Sequence, residues 1–390
     1  MKVTLLVPSL ASNGIARAWI LAKLLGRHHE VETLGFLRPG EEVFPWFADY
    51  PWGQVVAPTM REGMRAMEKA ITGDIVVAYS LSMMSFGVGL RAKMHRGLPL
   101  VLDMPEWEVH DHWKRPTRFH RAAMILRELV GPGWDNSHSF KYRWILDQLT
   151  RFADERCVCC QFLEERYGGA YLPQGLDPAA FDPAQHDKMA IRRKWGIPED
   201  ATILFFGGNP QPNKGIAETI NALNALEDRV KARLVIAGRD ASHAYTKQMI
   251  DLSRGKVIAL GPQPFTLMPE LLAAADIVAL PQTREPKSLG YVPCKMYEAM
   301  AMELPVISSR LCDIPEILEG CGYVVEPEDD PALQATIEHV LLHPEEAREM
   351  GRRARQRVIE RYSWDVMDRT IERTIEAVAS RAGGRARRAA

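Results

Sequence analysis

The chain alternates between unbroken apolar runs and amphipathic stretches. Residues 2–8 form a continuous apolar run of strand length. A run without polar alternation suits a strand buried on both faces, as in a parallel sheet. SLASNGIARAWILAKLLG follows as a polar, glycine-containing turn and an amphipathic helix ending near Gly26, with Gly14 at its entrance and Arg17 one turn in. HEVETLGF reads as a second strand, and the order repeats as strand 74–79, helix 84–93 and strand 99–103. Residues 141–165 read as helix, short strand, helix, and YLPQGLDPAAFDP then has linker composition, with Pro173, Gly175, Pro178 and Pro183 close together.

The alternation restarts after the linker. Strands are expected at 201–206, 233–237, 256–260, 277–280 and 323–325, with helices at 216–226, 268–274 and near Pro315. From Pro331 the pattern is helical to about residue 381, and RAGGRARRAA is expected to be a basic, structureless tail. Strands alternating with helices predict an α/β protein with parallel sheets covered on both faces. The boundaries expected are an N-terminal Rossmann-like domain over 1–172, a second over 173–360, and a C-terminal helix plus tail over 361–390.

Composition narrows the class. The 390 residues suit two domains, 46% are apolar and 25% charged, and the formal net charge is −1, which speaks against a general nucleic-acid surface. Six cysteines in this length are no disulfide framework, and Cys157, Cys159 and Cys160 in DERCVCCQF are expected as buried thiols. No cysteine or histidine spacing suggests zinc, so no metal and no cofactor are expected. The first apolar run is too short to cross a membrane and lacks a signal-cleavage pattern. A cytoplasmic protein is expected, at most peripheral at the inner membrane face.

The stretch PKSLGYVPCKMYEAMAMELPVI carries the clearest chemistry. It reads as loop, helix and buried strand. Gly290 lets backbone approach a ligand, Pro293 fits the first helical turn, and Lys295 and Glu298, three apart, share a helix face. A glycine-containing loop entering a helix favours anions, and a carboxylate one turn in suits a ligand with phosphate and hydroxyls, such as a nucleotide sugar. Glu298 reads equally well as a solvated helix residue. The loop GGNPQPNKG fails as a P-loop: Asn213 precedes Lys214 and Gly215 follows, leaving no hydroxyl for magnesium. What remains, with Gly208 opening the backbone, is a lysine at a helix mouth, able to neutralise a diphosphate or to be merely an exposed cap residue. Gly87, Gly89 and Ala92 fit the dinucleotide fingerprint but do not follow their strand directly, and read as helix packing. DMPEWEVHDHWKRPTRFHR clusters carboxylates, histidines and tryptophans after a strand end, where open sheets place ligands, and makes His110 or His112 a candidate for catalysis or acceptor contact.

Taken in order, these segments resemble the retaining glycosyltransferases of the GT-B fold, family 4 or group 1. The likeness is carried by Gly14, ADERCVCCQFLEERYG, PQGLD, FFGGNPQPNKG, LVIAGRD, VIALGPQPFTLMPELLAAADIVALP, KMYEAMAMELPVISS and YSWDVMDRTIE. It implies two Rossmann-like domains with parallel sheets facing across a cleft, the first for the acceptor and the second for the donor. It implies metal-independent transfer from a UDP- or GDP-sugar to the hydroxyl of a glycan, lipid-linked or small-molecule acceptor. Carried over by position, Lys214 contacts the diphosphate with Asn209 or Gln211 nearby. Glu298 holds the ribose, and Gly290, Tyr291 and Val292 turn backbone N–H groups to the phosphates or sugar. Gly14 lets its loop approach the donor, and Arg239 lies near the base. Gly290 stands where the family's first glutamate belongs, with Glu285 a little earlier, and Gln211 replaces a basic residue. PCKMYE fits a P-x-K-x-x-E variant, and Asp103 and Glu106 take the place of the family's histidine region as acceptor or sugar contacts. The alternatives are a non-catalytic nucleotide-sugar-binding protein of the same fold, or a sugar-nucleotide epimerase.

Overall fold

The computed structural model describes residues 1–109, 135–137, 139–226 and 230–389. The chain divides into two compact units: Met1–Pro173 with Leu289–Tyr291 and Asp365–Ala390, and Gln174–Ser288 with Val292–Trp364.

Among the described residues the first unit holds a seven-stranded parallel sheet, ordered β3-β2-β1-β4-β5-β6-β7. Its strands are β1 (Lys2–Val7), β2 (Glu30–Leu37), β3 (Gly53–Val56), β4 (Ile75–Tyr79), β5 (Leu100–Met104), β6 (Glu155–Val158) and β7 (Ala170–Tyr171). β4 and β5 are buried at every position, as their unbroken apolar sequences require. β1 pairs with β2 on one side (Leu5 opposite Thr33) and β4 on the other (Leu5 opposite Val77), so the strand order reverses there. The helix Ile15–Leu25 follows β1, and Cys157, Cys159 and Cys160 are buried and outside any disulfide. Gly89 lies in the helix Val88–Arg96, where a Cβ would stand 2.6 Å from Leu100 Cδ1, so the fingerprint-like glycines serve packing.

The second unit holds a six-stranded parallel sheet, β10-β9-β8-β11-β12-β13. The strands are β8 (Thr202–Gly207), β9 (Ala232–Ala237), β10 (Val257–Gly261), β11 (Ile277–Leu280), β12 (Val306–Ser309) and β13 (Tyr323–Val325). β8 lies between β9 and β11, and the direction of strand addition reverses at it. In doubly wound sheets ligands bind outside the carboxyl ends at such a reversal.

Four elements differ from expectation. β3 and the helix Met60–Ala70 escape the apolar-run criterion. β3 is a short edge strand with alternate residues exposed, and the helix, MREGMRAMEKA, buries only Met60, Gly63, Met64 and Met67. The helix Ala244–Leu252 likewise buries little. The tail is the fourth case: the helix Trp364–Ala389 runs through the segment expected to be structureless. Alanine and arginine are strong helix formers, and extending an existing helix avoids the cost of nucleation.

Candidate functional site

In the second unit the end of β8 brings the candidate residues together. Gly208 follows the strand at φ +115°, and its N–H donates to Ala237 O at 2.7 Å. A Cβ on Gly208 would stand 2.7 Å from Lys295 Nζ, so the glycine makes room for that ammonium. The loop tightens into the turn Pro212–Lys214, and Gly215 (φ +71°) opens the helix Ile216–Ala225. Gly215 presses against the residue after β11, and a Cβ there would lie 2.0 Å from Pro281 O. Lys214 Nζ donates to Gln282 Oε1 at 3.4 Å, and Gln282 is buried with no acceptor for its Nε2 among the described residues. Asn213 Nδ2 donates to Glu285 Oε2 at 3.4 Å, while Asn213 O accepts from Thr283 N–H at 3.3 Å. Arg239 Nε donates to Asn209 Oδ1 at 2.9 Å, joining two candidates on an exposed rim. Gln211 holds the turn through its carbonyl, which accepts from Lys214 N–H at 3.0 Å.

The helix Cys294–Ala301 supplies the other half. Pro293 is its N-cap in extended conformation, one place before the first turn. Lys295 is half-buried, its ammonium 4.5 Å from the Phe206 ring centre, a cation–π placement at the strand end. Burial lowers the pKa of this ammonium, against the attraction of Cys294 and Glu298. Glu298 is 9% exposed, which removes the solvated-helix reading. Burial pushes its carboxyl up to about 7, opposed by the Lys295 charge and a hydrogen bond with Cys294. Lys214, Lys295 and the raised carboxyl of Glu298 are thus placed on the segments beyond the end of β8 and at the start of the helix Cys294–Ala301. Such a set can neutralise phosphate and accept hydrogen bonds from hydroxyls.

The remaining candidates lie elsewhere. Gly14 belongs to the first unit, at the N-cap of Ile15–Leu25, and its carbonyl accepts from Tyr79 Oη at 2.8 Å. Gly290 and Tyr291 also cluster with the first unit, where Gly290 O accepts from Trp107 N–H at 3.1 Å. Val292 is fully buried. His110 and His112 lie outside the described residues.

Asp103 is not available as an acceptor contact. It is fully buried, and both oxygens are held by Arg17, Nε at 2.8 Å and Nη2 at 2.7 Å. The same guanidinium donates to the carbonyls of Leu172 and Pro173. Nearby, Glu108 went unnoticed in the sequence. It is 4% exposed, accepts from Leu81 N–H at 2.8 Å, and burial pushes it up to about 7 against the Arg143 charge. Ser80, just before Leu81, holds φ at +78°, a conformation costly for a side-chain-bearing residue.

The family model described as glycosyl transferases group 1 matches residues 187–357. The second unit belongs to the group 1 glycosyl transferases. The resemblance read from the whole sequence points to the same group. A GDP-mannose-dependent monoacylated alpha-(1-6)-phosphatidylinositol monomannoside mannosyltransferase of Corynebacterium glutamicum is 29% identical over 215 residues, 53% of this chain and 56% of that protein. A D-inositol 3-phosphate glycosyltransferase of Corynebacterium efficiens is 32% identical over 282 residues, 66% of this chain and 65% of that protein. The chain spans about half the length of the first curated relatives it matches. An Anabaena protein, Alr3699/HepE, solved in complex with UDP-glucose, superposes with a TM-score of 0.72 at 18% identity, covering 97% of this chain and 100% of its own. The fold is GT-B, two Rossmann-like domains each with its own parallel sheet. The group 1 domain contains Gly208, Asn209, Gln211, Lys214, Arg239, Val292, Lys295 and Glu298 together.

Proposed function

We propose that the protein is a retaining glycosyltransferase that moves a sugar from a nucleotide diphosphate to an acceptor hydroxyl, with no metal required. The observation that carries this is the convergence of Lys214, Lys295 and Glu298 at the β8 reversal of a group 1 domain. Relatives and neighbours named for GDP-mannose dependence or solved with UDP-glucose support a nucleotide-sugar donor.

Lys214, placed by Gln282, faces the diphosphate and offsets charge as the bond from the sugar C1 to phosphate oxygen breaks. That charge develops in the transition state, so a preorganised cation lowers the barrier more than it tightens ground-state binding. The bond to the acceptor oxygen forms on the same face. The departing phosphate keeps the bonding electron pair and takes the acceptor proton, so no protein base is needed. Glu298 accepts hydrogen bonds from the ribose hydroxyls and fixes the nucleotide. Arg239 and Asn209 edge the base. The reading keeps the protein cytoplasmic and at most peripheral to a membrane, and among the described residues no helix is long and apolar enough to cross one.

Calorimetric titration of UDP and GDP into wild type, Lys214→Ala and Glu298→Ala tests the donor site, followed by donor turnover. Micromolar binding weakened at least about tenfold by each substitution supports it. A folded protein that binds neither nucleotide refutes it, and binding without any donor turnover leaves a non-catalytic binding protein instead.

A further inference from the structure

A second feature lies in the first unit, along the helix Met60–Ala70. This helix is capped by Thr59, whose hydroxyl accepts from Glu62 N–H at 3.2 Å and donates to Glu62 Oε2 at 2.9 Å. Its inner face is Met60, Gly63, Met64 and Met67, and its outer face carries Arg61, Arg65 and Lys69 at successive four-residue steps, all exposed. None of the three cations forms an ion pair with any described residue, although Glu62 and Glu68 sit on the same helix. Glu62 is engaged by Thr59, and Glu68 by Arg91 at 2.8 Å and His95 at 2.6 Å.

Three adjoining cavities follow this helix. One of about 290 Å³ opens beyond the ends of β1 and β2, against Pro8, Ser9, Arg38 and Glu41, and reaches Met60 and Asp135. The next, of about 670 Å³, shares Met60 and Asp135 and is lined by Arg61, Arg65, Arg91 and Tyr142. The third, of about 440 Å³, shares Arg65 and adds Lys69 and Arg96. The acids along the way are already engaged. Asp135 accepts from Met60 N–H at 2.5 Å and pairs with Arg38 at 2.8 Å, and Glu41 accepts from Arg38 N–H at 2.8 Å. The groove therefore has a methionine floor, a tyrosine wall and a row of cations whose charge no described residue neutralises.

We propose that this groove binds a phosphate ester of an amphipathic acceptor, its anion on Arg61, Arg65 and Lys69 and its apolar part on the methionine floor. Arginines at fixed spacing suit phosphate better than a single point charge, because the planar guanidinium can donate two parallel hydrogen bonds. The inner end lies beyond the carboxyl end of β1, at the strand reversal of this unit, where a ligand is expected. Identifying the ligand as an acceptor rests on the glycosyltransferase reading, whereas phosphate-ester binding does not.

The test compares the full chain with Arg61→Gln/Arg65→Gln, and with Arg352→Gln/Arg353→Gln as a control of equal charge loss in the second unit. Cosedimentation uses phosphatidylcholine vesicles with and without phosphatidylglycerol at physiological salt, and titration uses soluble glycerol 3-phosphate. Binding to either phosphate ester that falls about tenfold per arginine in the groove variant, and stays unchanged in the control, supports the proposal. Vesicle binding alone identifies a lipid-borne ester, and binding of the soluble ester a free one. Binding of neither, or an equal fall in both variants, overturns it. UDP titration into the same proteins keeps the two readings apart: the groove can fail with UDP affinity intact, and the donor site can fail with groove binding intact.

Discussion

The proposed donor site would be proton-linked through the carboxyl of Glu298. Burial holds it up to about 7, so near neutrality the empty site is a mixture of acid and carboxylate. Ribose hydroxyls donate to a carboxylate more strongly than to a neutral acid, so the ionised form is the binding-competent one. Apparent affinity is intrinsic affinity scaled by the competent fraction. With a midpoint of about 7, that fraction is about one tenth at pH 6 and about nine tenths at pH 8, a tenfold gain in affinity across the interval, or about 1.4 kcal/mol. The assay is titration with an intact nucleotide sugar, because the terminal phosphate of a free nucleotide itself titrates near 6. Binding should release a proton near pH 7, read as a dependence of the observed heat on buffer ionisation enthalpy. Glu298→Gln should flatten the pH profile. A wild-type affinity that is flat from pH 6 to 8, or a slope that survives Glu298→Gln, refutes this account. At higher pH, loss of charge from Lys295, whose pKa burial lowers, adds a falling limb that Lys295→Arg removes.

Other outcomes follow from the same geometry. The folded-state pKa of Glu298 is raised, so its contribution to stability is fully present below the ordinary carboxylate value and is lost as pH rises through about 7. Chemical denaturation at pH 8 should therefore show Glu298→Gln more stable than wild type by up to about 3 kcal/mol, a gain that vanishes near pH 4.5. Asp103→Ala strands the buried Arg17 guanidinium and should cost about 3–5 kcal/mol in denaturant titration, far more than loss of an exposed pair. Gly215→Ala drives a Cβ to 2.0 Å from Pro281 O at a positive φ, and should weaken UDP binding by displacing Lys214 while also lowering the melting temperature. Gly383→Ala/Gly384→Ala meets open space on the last helix and should raise helicity by circular dichroism, each glycine otherwise costing about 1 kcal/mol.

Much of this fold can be read along the chain because its sheets are parallel. Ile277–Leu280 stands where its apolar run places it, since a strand covered on both faces has no polar position to blur it. The half-exposed GQVV of β3 gives no such run. The helix Met60–Ala70 was hidden by its arginines, although Met60, Met64 and Met67 keep the four-then-three spacing of a helical stripe. At the site, Lys214 and Glu298 are legible from local motifs, but the partners that define their chemistry are not. Gln282 lies 68 residues from Lys214, and the glycine that admits the Lys295 ammonium is Gly208, in the loop after β8, far from Lys295 in sequence. Asp103 shows the converse: a carboxylate after a strand resembles a ligand contact until Arg17, 86 residues away, is seen to occupy it.

The Arg17 pair also constrains how the protein is made. The guanidinium emerges early in synthesis, yet one of its acceptors, the carbonyl of Pro173, lies 156 residues downstream. At about 5–20 residues per second that acceptor follows roughly 8–30 seconds later. Until then the arginine cannot be buried without leaving a donor unmet, so the first helix must stay solvated or be sheltered. The wait is longer for Arg27, whose partner Asp365 is 338 residues away on the last helix. The unit translated first is the one whose folding is completed last.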